Sequence, residues 1–281
     1  MAAAWLPDFL ARIRLREPPQ VDVQGLQTLT RAFRFRVPFE NLDVLAGVAV
    51  STEPEAVIDK IVHRRRGGWC FELNTAFGEL LKAVGFEVEP LLARVGYRRP
   101  TLGPPAHLLL RVRGLAGSWL VDVGFGAVGP GAPLPDTTGE FVAADGLGYR
   151  LQANASGQRS LARRIDGEWV LLYQIEPFVA RSCDVEFGSH VLATWPASPF
   201  RRQLICSRDD GIRSWSIEGL SCVERDAQWR ELARVPIADS RQLRRELITK
   251  LNLDVPPPLL ESVWAVAEDS SSATSTATSR A

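Results

Sequence analysis

The sequence RGGWCFELNTAFGELLKAVG, residues 66–85, marks the point where a helix-rich part of the chain gives way to a β-rich part. Two glycines interrupt any preceding helix, and the apolar residues that follow recur at helical spacing. Gly85 stands where a left-handed residue commonly ends a helix. The stretch therefore predicts a helix that begins at Trp69 or Cys70. Unpaired N–H groups and the helix dipole favour a thiolate at that end.

Upstream of this stretch, the pattern predicts further helices. Asp8 is placed to cap a first helix, and residues 23–33 carry apolar side chains at helical spacing. The sequence STEPE, residues 51–55, combines a hydroxyl cap, acidic residues and an early proline, which is typical of a helix start. We expect a helical bundle over residues 1–88.

Downstream, short apolar runs alternate with glycine-rich turns, which predicts an antiparallel sheet or small barrel over residues 89–200. Residues 201–268 mix strand-like pieces with one helix, capped by Asp239 or Ser240. Residues 269–281 are rich in serine, threonine and alanine and are expected to be disordered. The fold class predicted is α+β.

Bulk composition excludes several functions. The 281 residues carry 33 Lys plus Arg and 33 Asp plus Glu, so nothing favours a nucleic-acid groove or an anionic membrane. The four cysteines have no CxxC spacing, which argues against a zinc site, and we expect Cys183, Cys206 and Cys222 to be buried packing residues. We find no signal peptide or membrane span, so we expect a cytoplasmic protein whose thiols stay reduced.

Three residues in chain order suggest covalent chemistry. His107, one of only three histidines, lies between Cys70 and Asp122. A cysteine reacts as its thiolate, and an adjacent imidazole makes that thiolate available near neutral pH. A carboxylate orients the imidazole. We therefore predict a nucleophile, a base and an orienting group for acyl transfer.

Turn geometry decides whether His107 and Asp122 meet. If Gly114 and Leu115 are the central residues of a tight hairpin, His107 lies directly opposite Asp122. If residues 114–117 all loop out, Leu109 faces Asp122 and His107 is the diagonal neighbour. Both registers put the two side chains on one face of the sheet, about 4.5–8 Å apart at Cβ. An odd loop length would separate them.

Five motifs carry a resemblance to a known family. They are VPFENL (37–42), RGGWCFELN (66–74), His107, DVGFG (122–126) and SPF (198–200). In this order they resemble the arylamine N-acetyltransferases, cytosolic enzymes that use acetyl-CoA. The resemblance covers about residues 5–205. It implies a cysteine-protease-like Cys-His-Asp core in three domains, with Cys70 on a helical bundle, His107 and Asp122 on a β-barrel, and residues 201–268 as an α/β lid.

The resemblance also implies a reaction. Cys70 would take an acetyl group from acetyl-CoA, and an arylamine, arylhydrazine or N-hydroxyarylamine would then attack the thioester in a ping-pong cycle. A place in xenobiotic metabolism goes with it. We expect no metal, no permanently bound cofactor, no nucleic acid and no membrane partner, and a monomer or homodimer.

Other roles follow from the same resemblance. An aromatic acceptor slot is implied for Phe39, Trp69, Phe125 and Phe200. A structural ion pair of Glu40 with Arg66 would hold the cysteine loop. Backbone N–H groups near the CoA pyrophosphate are implied for Gly124, Gly126 and Gly129, since glycine-rich turns bind phosphate in this way.

Two alternatives compete with this interpretation. A thiol hydrolase or transglutaminase-like enzyme uses the same Cys, His, Asp order, and differs in admitting water to the acyl-enzyme. A non-catalytic protein that binds CoA or an aromatic ligand would share the scaffold. The aromatic lining and the long C-terminal segment favour a transferase.

Overall fold

The first five helices form the N-terminal part of the protein. The computed structural model describes residues 3–278, with side chains as far as residue 270. The helices are α1 (Leu6–Arg12), α2 (Val23–Arg34), α3 (Leu42–Leu45), α4 (Pro54–Ile58) and α5 (Cys70–Val84). They pack around fully buried aromatic rings, among them Phe9, Phe33 and Phe77.

Two predicted helix starts differ from the structure. The α1 helix begins at Leu6, so Asp8 lies inside its first turn and does not cap it. The α4 helix begins at Pro54, within the predicted stretch, but Glu53 is its N-cap and no hydroxyl caps it; the Ser51 hydroxyl accepts from the Glu53 amide before the helix starts. The chain continues from α4 into one π-helical turn, Asp59–His63.

The predicted helix after the two glycines is present as α5. It begins at Cys70 and ends before Gly85, whose φ of 114° is left-handed. Glycine adopts this conformation without the steric cost that a Cβ brings. The nucleophile predicted from the sequence is therefore the first residue of a helix.

An eight-stranded antiparallel sheet follows. Its strands are β2 (Glu87–Val95), β3 (Pro105–Arg113), β4 (Trp119–Val121), β5 (Leu134–Pro135), β6 (Gly139–Val142), β7 (Gly148–Ala153), β8 (Arg159–Ile165) and β9 (Glu168–Val179). The order is β5-β4-β3-β2-β9-β8-β7-β6, so β5 and β6 stand at opposite edges. The predicted sheet is present, open at both edges across the described residues.

A second sheet joins distant parts of the chain. It pairs β1 (Phe39–Glu40) with β10 (Ile205–Asp209), followed by β11 (Arg213–Glu218), β12 (Ser221–Asp226) and β13 (Glu231–Pro236). Helices α7 (Ser240–Leu251) and α8 (Pro257–Thr278) accompany it. The pairing of β1 with β10 brings the segment just before α3 onto the C-terminal sheet. The proposed boundaries at 88, 200 and 268 remain a prediction.

Two elements differ from expectation. Helix α6 (Ser182–Thr194) lies in a region predicted to be wholly β; its buried side is narrow, so periodicity gave little signal. Helix α8 extends to Thr278, into the stretch 269–281 for which a disordered tail is expected from the sequence. Residues 279–281 lie outside the described residues. Among residues 3–278, no helix is long and apolar enough to span a bilayer.

Candidate active site

The β3–β4 hairpin brings His107 and Asp122 together. Leu110 pairs with Val121 and Val112 with Trp119, so residues 114–117 loop out, as in the second register considered above. His107 is thus the diagonal neighbour of Asp122. Its Nε2 lies 2.7 Å from Asp122 Oδ2, and both side chains are almost completely buried.

Cys70 reaches this pair from the start of α5. Its side chain is hydrogen-bonded to His107. Since Nε2 of the imidazole faces Asp122, Nδ1 is the nitrogen that faces the thiol. A Cβ on Gly124 would lie 2.7 Å from the Cys70 Cα, so only glycine allows the turn after Asp122 to pack against the first turn of α5.

The Asp122 carboxylate accepts several hydrogen bonds besides its contact with His107. Its Oδ1 accepts hydrogen bonds from Asn74 Nδ2 (3.1 Å) and from the Gly124 amide (2.9 Å). The Tyr173 hydroxyl is also hydrogen-bonded to the carboxylate. Burial opposes ionisation, but the charge of His107 and these hydrogen bonds outweigh it and hold the pKa of Asp122 below its usual value. The carboxylate therefore stays ionised.

His107 is charged at neutral pH in this setting. Burial alone would lower its pKa, but Asp122 and then Cys70 outweigh burial and raise the pKa of His107 to about 10. The imidazolium donates from Nε2 to Asp122 and presents Nδ1 to the sulfur. A cation in that position is the partner that a cysteine thiolate requires.

Two residues that orient Asp122 had no role in the sequence-based prediction. Asn74 donates to the Leu108 carbonyl (2.6 Å) as well as to Asp122, and its Oδ1 accepts from the Val123 amide (3.1 Å). Its position one turn after Cys70 was a signal in the sequence, since residues at i and i+4 share a helix face. Tyr173 lies on β9, far along the chain, and carried no such signal.

The four predicted aromatic residues fall into two groups. Trp69 and Phe39 lie against Phe200, with ring centroids 5.4 and 6.2 Å from it. Phe125 lies apart from them and packs on His107 with a centroid separation of 5.0 Å. Trp69 is completely buried, so its ring forms a layer behind the half-buried Phe200 and does not itself face an open slot.

Asn41 ties the Phe200 segment to the rest of the site. Its Nδ2 donates to the carbonyls of Phe200 and Gln203, both at 2.8 Å, and its Oδ1 accepts from the Ile205 amide. The side chain is buried, so these groups satisfy its hydrogen-bonding capacity. The sequence motif contained Asn41 without indicating this function.

The structure brings Glu40 and Arg66 together. Arg66 donates from Nη2 and Nε to Glu40 Oε1, at 2.7 and 3.0 Å. The pair belongs to a larger buried set of charges that also contains Asp43, Lys60 and Glu72. No pattern in the sequence indicated these three members.

The glycine turn forms hydrogen bonds of its own. The Gly124 amide donates to Asp122, and the Gly129 amide donates to the Gly126 carbonyl (3.1 Å). Both amides therefore have acceptors within the turn, and the contact of the three glycines with a pyrophosphate remains a prediction. Gly126, with φ of 74°, lets the turn close on itself. Gly129 lines a cavity beside Arg34 and Arg163.

The remaining histidines and cysteines lie elsewhere. His63 and His190 are exposed. Cys206 and Cys222 are buried, as expected, but Cys183 is exposed on α6, which corrects the prediction that it packs in the core.

A thiol, an imidazole and a carboxylate lie in contact between a helix start and an antiparallel sheet, which is the arrangement that cysteine-dependent acyl transfer requires. Comparison with known proteins is more specific. A family model described as N-acetyltransferase matches residues 22–259. The chain belongs to the arylamine N-acetyltransferase family, as its motifs predicted.

Individual relatives agree with this assignment. An arylamine N-acetyltransferase of Mycobacterium bovis is 32% identical over 256 residues, which is 89% of this chain and 89% of the relative. The Salmonella typhimurium enzyme structure matches with a TM-score of 0.87 and 29% identity, over 94% of this chain and 99% of that one. The Mycobacterium marinum enzyme, solved with CoA, gives 0.85 and 29%, over 94% and 98%. The predicted α+β fold class is confirmed.

Proposed function

We propose that this protein transfers an acetyl group from acetyl-CoA to arylamines, arylhydrazines or N-hydroxyarylamines by a ping-pong mechanism through acetyl-Cys70. The observation that carries the proposal is the position of His107, which contacts Asp122 at 2.7 Å on one side and Cys70 on the other. Family membership supports the acetyl-transfer class. The triad geometry supports the covalent route.

In the first half-reaction, the Cys70 sulfur attacks the carbonyl carbon of acetyl-CoA and forms a new C–S bond. The C–S bond to CoA breaks, and the proton on His107 Nδ1 passes to the departing CoA sulfur. Asp122 keeps the proton on Nε2, so the imidazole is left neutral with Nδ1 free to accept. The products are CoA and a thioester on Cys70.

In the second half-reaction, the acceptor nitrogen attacks the thioester carbon. Neutral His107 takes the proton that the amine loses, and the bond from carbon to the Cys70 sulfur breaks to regenerate the thiolate. The thiolate and imidazolium that began the cycle are restored. Each step moves one proton through one nitrogen, and the contacts of His107 with Asp122 and Cys70 support this route.

Two observations support the substrates. The Mycobacterium marinum relative is solved in complex with CoA, which supports acetyl-CoA as the donor. Phe200 and Phe125 are both half-buried. Phe200 packs on Trp69, the residue before Cys70, and Phe125 packs on His107. Flat rings in these positions suit an aromatic acceptor. Phe39 and Trp69 support Phe200 from behind.

The working environment follows from the thiols. All four cysteines are unpaired, which suits a reducing compartment, and we propose that the enzyme acts in the cytoplasm. The resemblance implies a place in xenobiotic metabolism, and we propose that xenobiotic amines would bind at this same acceptor site.

Intact mass after incubation with acetyl-CoA tests the proposal. We expect a gain of one acetyl group, located on the peptide that contains Cys70. Cys70→Ala removes the gain, whereas Cys183→Ala, at the exposed cysteine on α6, is the matched control and retains it.

Acetyl-CoA turnover with and without an aniline then separates transfer from hydrolysis. Rapid CoA release without amine would identify a hydrolase. Labelling at a residue other than Cys70 would refute the covalent route.

A further inference from the structure

Five buried charged residues lie beneath the loop that carries Cys70. We call Glu40, Asp43, Lys60, Arg66 and Glu72 the charge cluster. Lys60 Nζ lies 2.7 Å from Glu72 Oε1 and 2.6 Å from Asp43 Oδ2, and 4.0 Å from Glu40 Oε1. Arg66 completes the set with Glu40 and with Asp43 at 3.0 Å. Their side chains are at most 14% exposed.

Glu72 connects this cluster to the residue that precedes the nucleophile. Its Oε1 accepts from Lys60, and its Oε2 accepts from the backbone N–H of Trp69 at 3.2 Å. Trp69 is the N-cap of α5 and Glu72 is its third residue, so the carboxylate satisfies one of the unpaired amides at this helix start. The position of the Cys70 peptide thus depends on Glu72.

The two glycines before Trp69 make this contact close. A Cβ on Gly68 would lie 2.8 Å from both Cβ and Oε2 of Glu72, and one on Gly67 would lie 2.2 Å from the Pro38 carbonyl oxygen. The loop therefore passes between β1 and the Glu72 side chain with no space for adjustment. A change at Glu72 is transmitted directly to the loop.

The cluster contains three carboxylates and two cations. Lys60 belongs to the π-helical turn, and such turns occur often at functional sites. Burial is the largest influence on Glu72 and raises its pKa. The positive charge of Lys60 lowers the pKa and the negative charge of Glu40 raises it, and the net result is a pKa of about 7. Cys206 faces Glu40 from β10, and burial keeps its thiol protonated with a pKa well above the usual value.

We propose that Glu72 is a positioning residue for Cys70, and that its ionised form, held by Lys60, keeps the first turn of α5 in the geometry that places the sulfur against His107. Protonation of Glu72 places an O–H group on one of its two carboxylate oxygens. Each of these oxygens already accepts a hydrogen bond, one from Lys60 Nζ and the other from the Trp69 amide, so the new donor faces an existing donor. One of these two hydrogen bonds then weakens. The reactivity of Cys70 therefore falls as pH drops through about 7.

Glu72→Gln tests this inference, which rests on the proposed function for its acetylation readout alone. Gln keeps the shape but directs an NH₂ group at one of the two donors. The matched control is Glu79→Gln, because Glu79 is on the same helix and pairs with Lys82 at the surface, at 2.8 Å. The readouts are first-turnover acetylation of Cys70 by acetyl-CoA and its alkylation by iodoacetamide, from about pH 5.5 to about pH 8.5.

For the wild type we expect both rates to rise through about pH 7. For Glu72→Gln we expect rates roughly ten- to a hundredfold lower at pH 8, without that inflection and with the KM for the amine little changed. Glu79→Gln should match the wild type. Lys60→Met should resemble Glu72→Gln, and Lys60→Arg, which restores a cation, should recover part of the rate.

Equal rates and pH profiles for Glu72→Gln and the wild type would overturn the inference. If Glu72→Gln does not fold, as judged by near-UV circular dichroism, a wild-type alkylation profile that lacks an inflection near pH 7 overturns it equally well. A wild type that alkylates with this profile but is never acetylated would instead refute the proposed function and leave Glu72 supported.

Discussion

Gly124 and Cys70 are in direct backbone contact, across a gap that admits no side chain. A Cβ on Gly124 would lie 2.7 Å from the Cys70 Cα and 2.5 Å from Asn74 Nδ2. Gly124, in the turn after Asp122, therefore also packs directly against the first turn of the helix that carries Cys70. Two halves of the triad, one on a helix and one on a sheet, share this contact.

Gly124→Ala is expected to separate those halves. The added methyl group displaces either the Cys70 backbone or Asn74, because neither is the free end of a flexible side chain. We expect unfolding free energy to fall by about 1–3 kcal/mol and acetylation of Cys70 to be severely reduced. Urea unfolding and first-turnover kinetics measure the two effects.

Gly78→Ala is the control for that change. Gly78 lies on the same helix as Cys70, and a Cβ added to it would lie 3.6 Å from Leu110, which is an ordinary contact. We expect it to keep full activity. Wild-type activity in Gly124→Ala would show that the close contact is not required.

Asp122→Asn is expected to reverse the roles of the two imidazole nitrogens. Asn74 and Gly124 both donate to Oδ1, so the carbonyl oxygen of the new amide takes that position and its NH₂ group faces His107 Nε2. Nε2 must then accept, which puts the ring proton on Nδ1, facing the sulfur. We expect kcat/KM to fall by roughly 10³- to 10⁴-fold.

Steady-state acetylation of an aniline at pH 8 measures this loss. Asp226→Asn, which weakens the hydrogen bonds of this carboxylate with the side chain and backbone amide of Arg230, is the control. Retention of activity within about tenfold by Asp122→Asn would contradict the tautomer assignment.

Glu72→Gln is expected to become more stable relative to the wild type as pH rises, although the substitution lowers activity. The folded-state pKa of Glu72, about 7, is above its ordinary value of 4.5. Its contribution to stability is therefore fully present below 4.5 and is lost as pH rises through about 7. A neutral amide loses nothing over that range.

Thermal unfolding of the variant and the wild type, at about pH 5 and about pH 8, measures this difference. We expect the difference in Tm to shift toward the variant by several degrees as pH rises, with Glu79→Gln parallel to the wild type. A constant difference across pH would contradict a raised pKa. Lower activity combined with higher relative stability is the signature of a residue kept for positioning.

Trp69→Phe is expected to change the choice of acceptor and leave the nucleophile intact. Among the described residues the buried Trp69 Nε1 has no hydrogen-bond partner, so its loss offsets part of the cost of a smaller ring. The smaller ring lets Phe200 settle deeper. We expect a KM a few-fold lower for a bulky arylamine, with Cys70 acetylation unchanged.

Steady-state kinetics with a small and a bulky aniline separate these effects. Phe9→Leu, at a fully buried ring of the helical core that does not contact Trp69 or Phe200 through its ring, controls for general loosening. An unchanged ratio of KM values for the two amines would show that Trp69 does not shape the acceptor site.

Local patterns in the sequence were sufficient for several parts of this protein. The glycine pair and the apolar spacing after it predicted α5 from Cys70 to Gly85, because a helix start and a left-handed end depend on residues within one turn. The family motifs predicted membership and the α+β class, which the comparisons confirm. The period of a strand also placed His107 and Asp122 on one face in either register considered.

Which register was adopted could not be read from the hairpin alone. Residues 114–117 loop out, with Leu115 turned into the core at 8% exposure and its carbonyl accepting a hydrogen bond from Trp119 Nε1 at 3.2 Å. That burial depends on what the rest of the fold places beneath the turn.

The same reason explains what remained hidden. Tyr173 beside Asp122, the charge cluster under Cys70 and the pairing of β1 with β10 join residues far apart in the chain. Periodicity and propensity act over a few residues, whereas buried charges and hydrogen bonds must find partners in the assembled interior. The sequence by itself indicated most of the elements and the three candidate reacting groups; only the tertiary structure decided which neighbours hold those groups in place.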